Sequence, residues 1–162
     1  MWLFIKTAIF TLVAPGTMGV YLPRYLASRA GDTPATGVLR WIAAVPFAIG
    51  AAFYLRCAWD FATLGRGTPA PIDAPRYLVV RGLYHYVRNP MYVGVIMMAV
   101  GWAAYFASSS LAMYSLTLAA GFHLFVLFFE EPTLRLQFGD SYMAYCRQVR
   151  RWIPGAPSSH RG

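Results

Sequence analysis

Apolar residues in this chain come in long runs separated by shorter polar stretches. Four runs stand out, over roughly residues 2–22, 39–59, 91–107 and 111–129. Each is close to the ~20 helical residues that cross a hydrocarbon core of about 30 Å. Inside lipid a segment must satisfy its own backbone groups, so helices are the expected form. The pattern predicts an all-α membrane bundle of about four transmembrane helices, or five if one run is split, in a single domain over 1–154. Pro15 and Pro46 interrupt two runs and are expected to kink them. The first run is short and carries Lys6, as a signal peptide would. Its apolar character resumes past Pro15-Gly16 with no small-x-small cleavage site, so it is read as a helix.

The polar stretches fix the connections. Runs three and four are joined only by Ser108-Ser109-Ser110, which makes them an antiparallel hairpin. Beyond run four, Gly139 is expected to end one helix and Asp140 or Ser141 to cap the next. That next helix places Tyr142, Tyr145, Cys146 and Val149 on one face and arginines on another, the pattern of an amphipathic helix lying on an anionic membrane surface. Pro154 stops it, and 155–162 is expected to be a disordered tail.

Composition strengthens this picture. The chain is 58% hydrophobic and 17% aromatic but only 12% charged, against about a quarter charged in soluble domains. The formal net charge of +8 rests almost wholly on arginine, Lys6 being the one lysine. No base-reading motif accompanies the charge, so nucleic acid is not an expected partner. Membrane topology accounts for it instead, with anionic lipid head groups as partners. Arg24, Arg29 and Arg40 lie in the 22–40 loop; Arg56, Arg66, Arg76, Arg81 and Arg88 in the 56–90 segment; Arg135, Arg147, Arg150, Arg151 and Arg161 after run four. With four spans the second loop and the tail share a side, and the positive-inside rule makes it cytoplasmic. Both termini are then inside, with the bacterial inner membrane as the expected location. Cys57 and Cys146 match no metal or redox spacing, and no metal site is expected.

The densest polar chemistry stands at the threshold of run three, in RGLYHYVRNPMYVG, residues 81–94. Locally, Asn89 suits an N-cap and Pro90 a first helical turn. Arg88 can snorkel, and Tyr84, Tyr86 and Tyr92 can form an interfacial belt. Gly82 suggests a tight turn, while Gly94 and Gly101 share a helix face that admits another backbone or a ligand. A second cluster, Glu130-Glu131, ends run four. An acidic side chain at mid-bilayer costs about 2.5–3.5 kcal/mol. Glu131 and Arg135 have the i, i+4 spacing of a helix salt bridge. On the same side as the arginine-rich loop, the two carboxylates are candidates for holding a cation. His123 lies within run four, where a neutral imidazole bonding a neighbouring helix is as good a reading as a functional one. His85 is a candidate for acid–base chemistry.

At these residues the chain resembles the small integral-membrane methyltransferases of the isoprenylcysteine carboxyl methyltransferase and phospholipid methyltransferase type. The carrying motifs are Gly82-x-Tyr84-x-x-x-Arg88-Asn89-Pro90-x-Tyr92-x-Gly94, a helical hairpin, then Glu130-Glu131-x-x-Leu134 and Phe138-Gly139-x-x-Tyr142-x-x-Tyr145. They cover roughly residues 76–154, the half in which a cofactor site is implied. The resemblance implies S-adenosylmethionine as methyl donor and S-adenosylhomocysteine as product, with Gly82, Tyr84, Arg88, Asn89, Pro90, Tyr92, Gly94, Glu130 and Glu131 at the cofactor. Arg88 and Glu131 are the implied catalytic pair. Asn89 stands where the eukaryotic isoprenylcysteine enzymes have histidine, so a proton-transfer role there is not carried over. The implied acceptor is lipophilic or membrane-borne, with a carboxylate, thiol or amine nucleophile. A protonated amine would need a base, for which Glu131 or His85 are the candidates.

Two other readings stay open on sequence alone. One is a nicotinamide-dependent membrane reductase of the sterol-reductase type, although such chains usually have more helices. The other is a non-enzymatic membrane scaffold or lipid carrier whose arginines bind head groups.

Overall fold

The structure is a computed structural model that describes residues 2–64, 78 and 80–154. Arg66, Arg76, Arg161 and the 155–162 tail lie outside them. The described residues are all-helical, with no strand among them. Helix α1 (Trp2–Gly16) passes through one π-helical turn (Thr17–Tyr21) directly into α2 (Leu22–Ala30). Helix α3 covers Val38–Leu64; a 3-10 turn at Gly82–His85 leads into α4 (Pro90–Tyr105). Helix α5 (Ser109–Phe125) runs through a second π-helical turn (Val126–Glu130) into α6 (Glu131–Gln148).

Both π-turns precede a proline by two residues, and the proline explains them. Pro23 and Pro132 have no N–H to offer, and each ring would clash with the carbonyl four residues back. An extra residue in the turn moves that carbonyl aside: Leu22 N–H bonds Thr17 O and Glu131 N–H bonds Val126 O, each five residues back. The carbonyls loosened in the first turn are taken up by neighbouring helices. Trp102 Nε1 of α4 donates to Gly19 O at 3.0 Å, and Tyr114 OH of α5 donates to Met18 O at 2.7 Å. The expected 22–40 loop is therefore mostly helix. It extends through Arg24 and Arg29 and stops at Gly31, whose φ of 71° supplies the left-handed C-cap.

Helices α3 and α4 make the closest contact in the bundle, and glycine permits it. Gly50 and Gly94 face each other so tightly that a Cβ on Gly94 would lie 2.7 Å from Gly50 O. A Cβ on Gly101 would meet the Phe47 backbone N at 2.8 Å. The face shared by Gly94 and Gly101 thus receives α3, one of the two uses its spacing allowed. Tyr54, Ala58, Val95 and Met98 form the buried core beside this seam. Tyr54 OH reaches Thr11 Oγ1 of α1 at 3.0 Å, tying the first helix to the third.

The four expected spans are matched by length and composition in two places, Val38–Phe61 and the helical stretch Ser109–Gln148, which kinks at Gly139. Helix α4 is apolar but only 16 residues long, short of the ~20 that cross by themselves. Its shortness has a cause at each end. Arg88 and Asn89 turn away into polar contacts before Pro90, and Ala107 takes a φ of 48° so that Ser108 can cap α5 through Leu111 N–H at 3.3 Å. Apolar side chains such as Val13, Ile42, Leu55, Leu116 and Phe128 are more than half exposed on the outside of the bundle. An outward apolar surface of that extent fits association with a membrane.

Gly50→Val is expected to destabilise the protein by about 1–3 kcal/mol through overpacking of the α3–α4 seam. Thermal unfolding in detergent, followed by circular dichroism, checks this; Gly121→Ala, where a Cβ meets nothing within 4 Å, is the control and is expected to unfold like the parent.

Candidate functional site

The polar residues converge where the N-terminus of α4 meets the start of α6. Pro90 opens α4 as its first residue, and the preceding Val87-Arg88-Asn89 segment is non-helical, bending at Arg88. The chain end returns to that segment. Val87 pairs with Arg150 in a short parallel bridge, and Arg88 N–H donates to Arg150 O at 2.9 Å. Asn89 stands at the N-cap position of α4, but its side chain makes no capping bond, contrary to the expectation from its position. Its Nδ2 donates instead to Arg151 O at 3.2 Å, so it fastens the tail to the helix start.

At the centre is the Glu131 carboxylate, 3% exposed. Arg88 Nη1 donates to its Oε1 at 3.0 Å, while Arg151 donates through Nε to Oε1 at 2.7 Å and through Nη2 to Oε2 at 3.0 Å. Two donors from one planar guanidinium onto two carboxylate oxygens is the strong bidentate form of the contact. Arg135 adds the expected i, i+4 partner at 3.6 Å from Oε2, but it is more than half exposed and contributes little. Arg88 Nη1 also lies 2.9 Å from Cys146 Sγ, while its Nε is buried without a partner among the described residues. Next door, Tyr92 OH donates to Glu130 Oε2 at 2.7 Å. The Tyr92 ring leans on Phe122, with centroids 4.7 Å apart.

Glu131 lies beyond the apolar 111–129 stretch, in a helix rich in polar residues. Its charge is met by the Arg151 hydrogen bonds and by the guanidinium groups of Arg88 and Arg135. The bond to Glu131 pushes the Arg151 guanidinium pKa up.

The remaining sequence-predicted residues are distributed more widely. Gly82 opens the 3-10 turn with a φ of 58°, a left-handed conformation that other residues rarely take. A Cβ there would sit 2.7 Å from Asp60 Oδ2. Tyr84 packs edge-on against Phe61, and its carbonyl accepts from Tyr145 OH at 2.7 Å. Gly94 is one turn into α4 and packs on α3, away from the carboxylates. His85 is exposed. His123 Nδ1 accepts from Trp152 Nε1 at 3.0 Å, the imidazole-to-neighbour bond that its position allowed.

Sequence reasoning missed Arg151 and Cys146, placing both in a surface helix for packing and anchoring. Nothing in the local pattern separates Arg151 from Arg147 and Arg150; it turns inward because the tail leaves the helix at Val149 (φ −119°, ψ 130°) and runs beside Val87. Gly139 (φ 50°, ψ −126°) leaves the helical conformation, so α6 is two helical segments meeting at a kink, the break that its position predicted. The kink lets Tyr142, Tyr145 and Val149 form a buried cluster with Leu134 and Phe138.

Residues 38–141 match the family model described as phospholipid methyltransferase. No curated protein and no solved structure matches the chain. The matched region contains Arg88, Tyr92, Glu130 and Glu131 and stops before Cys146 and Arg151.

Glu131→Gln is expected to cost about 3 kcal/mol by leaving Arg88 without its charged partner. Denaturation midpoints of both proteins in detergent at neutral pH measure it.

Proposed function

Because the chain belongs to the phospholipid methyltransferase family, we propose that it catalyses S-adenosylmethionine-dependent methyl transfer to a lipophilic, membrane-borne acceptor at the cytoplasmic membrane surface. The observation that carries this reading is the convergence of Arg88, Tyr92, Glu130 and Glu131 at one end of the bundle, with Arg88 Nε buried and lacking a partner among the described residues. A buried guanidinium N–H without an acceptor is costly unless something fills the role, and a ligand carboxylate would do so. The residues present therefore fit an amino-acid-bearing cofactor. Arg88 would hold its carboxylate. Glu130, which has one oxygen on Tyr92 and no other protein donor among the described residues, would face its ammonium or sulfonium. The aromatic residues beside Tyr92 would wall it from water.

S-adenosylmethionine supplies a methyl group on a sulfonium, which is already a good leaving group. What the chain must add is alignment, worth on the order of 7–11 kcal/mol in well-oriented reactions. Both Glu131 oxygens already accept from guanidinium groups, so its part is to fix the plane of Arg88. An acceptor carboxylate or thiolate takes the methyl directly, whereas a protonated amine must first lose a proton. Proximity favours Glu130 for that step over the exposed His85.

The same placement supports the expected topology. Tyr105 at the far end of α4 bonds Ala35, whereas Glu131 and the tail lie at the near end with Arg88. The arginines near Glu131 favour that end as the cytoplasmic one under the positive-inside rule, and four membrane crossings would bring both termini to it.

The test is calorimetric binding of S-adenosylmethionine and S-adenosylhomocysteine to the full chain in lipid discs. Wild type is expected to bind both, Arg88→Ala and Glu131→Ala to lose binding while remaining helical, and Tyr92→Phe to bind about tenfold more weakly, as for loss of one hydrogen bond to a charged group. Absence of binding to folded wild type would overturn the reading.

A further inference from the structure

A second site lies at the other end of α4. There α2, α3, the end of α4 and the 31–37 loop line an open-sided cavity of about 530 Å³, within the size range of small-molecule sites. Sixteen helical residues separate this end of α4 from Pro90, a distance of about 24 Å. The cavity shares no residue with the Arg88–Glu131 cluster, and its occupant is independent of the methyl-transfer reading.

One wall is aromatic. Trp102 and Phe106 stack with centroids 5.6 Å apart and planes 13° apart. Phe47 meets Trp102 edge-on at 5.6 Å, and Tyr105 meets Phe106 edge-on at 5.1 Å. Two opposite charges line the same space, Arg24 from α2 and Asp32 from the loop. Among the described residues no ion pair joins them. Asp32 Oδ2 is buried and has no hydrogen-bond partner among the described residues. The loop that carries it is pinned at both ends: Asp32 N–H donates to Ala27 O at 3.0 Å, and Ala35 N–H donates to Tyr105 O at 2.7 Å.

A buried carboxylate oxygen without a donor is a cost that a ligand cation would relieve. A carboxylate beside aromatic faces is the chemistry that recognises ammonium, and quaternary ammonium above all. An unbridged arginine across the same cavity suits a phosphate. Together they describe a ligand carrying a phosphate and an amine. The surface next to the opening decides its source. Val38, Leu39, Trp41, Ile42 and Val45 of α3 are all more than half exposed there, an apolar track along which acyl chains can lie.

We propose that this cavity holds the headgroup of a zwitterionic membrane phospholipid, its ammonium against Asp32 and the Trp102–Phe106 wall and its phosphate on Arg24.

The experiment titrates the full chain, purified in a maltoside detergent, with short-chain phosphatidylcholine, phosphatidylethanolamine and phosphatidylglycerol, and with glycerophosphocholine, read by calorimetry. Wild type is expected to bind the two zwitterionic lipids about tenfold more tightly than phosphatidylglycerol, the size of one cation–aromatic or ionic contact. Asp32→Asn is expected to abolish that preference, and Arg24→Gln to weaken all three lipids. Phe106→Leu, which keeps the apolar packing, is expected to lose phosphatidylcholine selectively; it decides the matter if Asp32→Asn fails to fold. Equal affinity of wild type for the three lipids, or a preference unchanged in Asp32→Asn, would overturn the proposal. So would glycerophosphocholine binding as tightly as the lipid, since the headgroup would then not come from the membrane.

Discussion

Glu131 is a carboxylate at the end of a long apolar helix, and it is almost wholly buried. Such a group is tolerable only if its charge is met by donors of the opposite sign. Meeting that demand draws three separate parts of the chain together. Arg88 comes from the turn before α4, Arg151 from the tail beyond α6, and Arg135 from one turn along the same helix. The Val87–Arg150 bridge and the Asn89 bond to Arg151 O hold the two arginine-bearing segments side by side. The cluster is thus as much a structural clasp as a chemical site, and it closes the end of the bundle where the family's chemistry is expected.

Backbone register supplies the second constraint. Pro23 and Pro132 each force a π-helical turn just upstream, and the helix continues where a break would otherwise fall. In the first helix the loosened carbonyls become acceptors for Trp102 and Tyr114, so a local defect becomes an interhelical contact. In the last helix the π-turn ends at Glu130. Glu130 can then meet Tyr92 while its neighbour Glu131 meets the arginines. Two adjacent carboxylates acquire different partners because successive side chains on a helix point about 100° apart.

These constraints leave the two ends of α4 chemically distinct. One carries the ionic clasp with the family's motif residues. The other carries aromatic rings, Arg24 with no ion pair among the described residues, and Asp32, whose Oδ2 has no hydrogen-bond partner among them. Glycine at 50, 94 and 101 fixes α4 against α3 between them, so both ends are held by one rigid seam.

The helical class, the hairpin at Ser108–Ser110 and the pairing of motif segments were legible in the sequence, because apolar run length, capping chemistry and residue spacing are local properties. The family, too, was legible from the order of its short motifs. The closing of the α3–α4 seam was half legible: Gly94 and Gly101 announced a close approach without saying whether a helix or a ligand would make it. Arg151, the inward turn of the tail and the aromatic cavity at Asp32 were not legible at all. Each depends on segments far apart in the chain meeting in space, and no periodicity records which of several arginines will face a buried carboxylate. Sequence determined that Glu131 needed a cation; only the tertiary structure decided which cations arrive, because that choice is made by where the returning tail can bond the backbone of Val87 and Arg88.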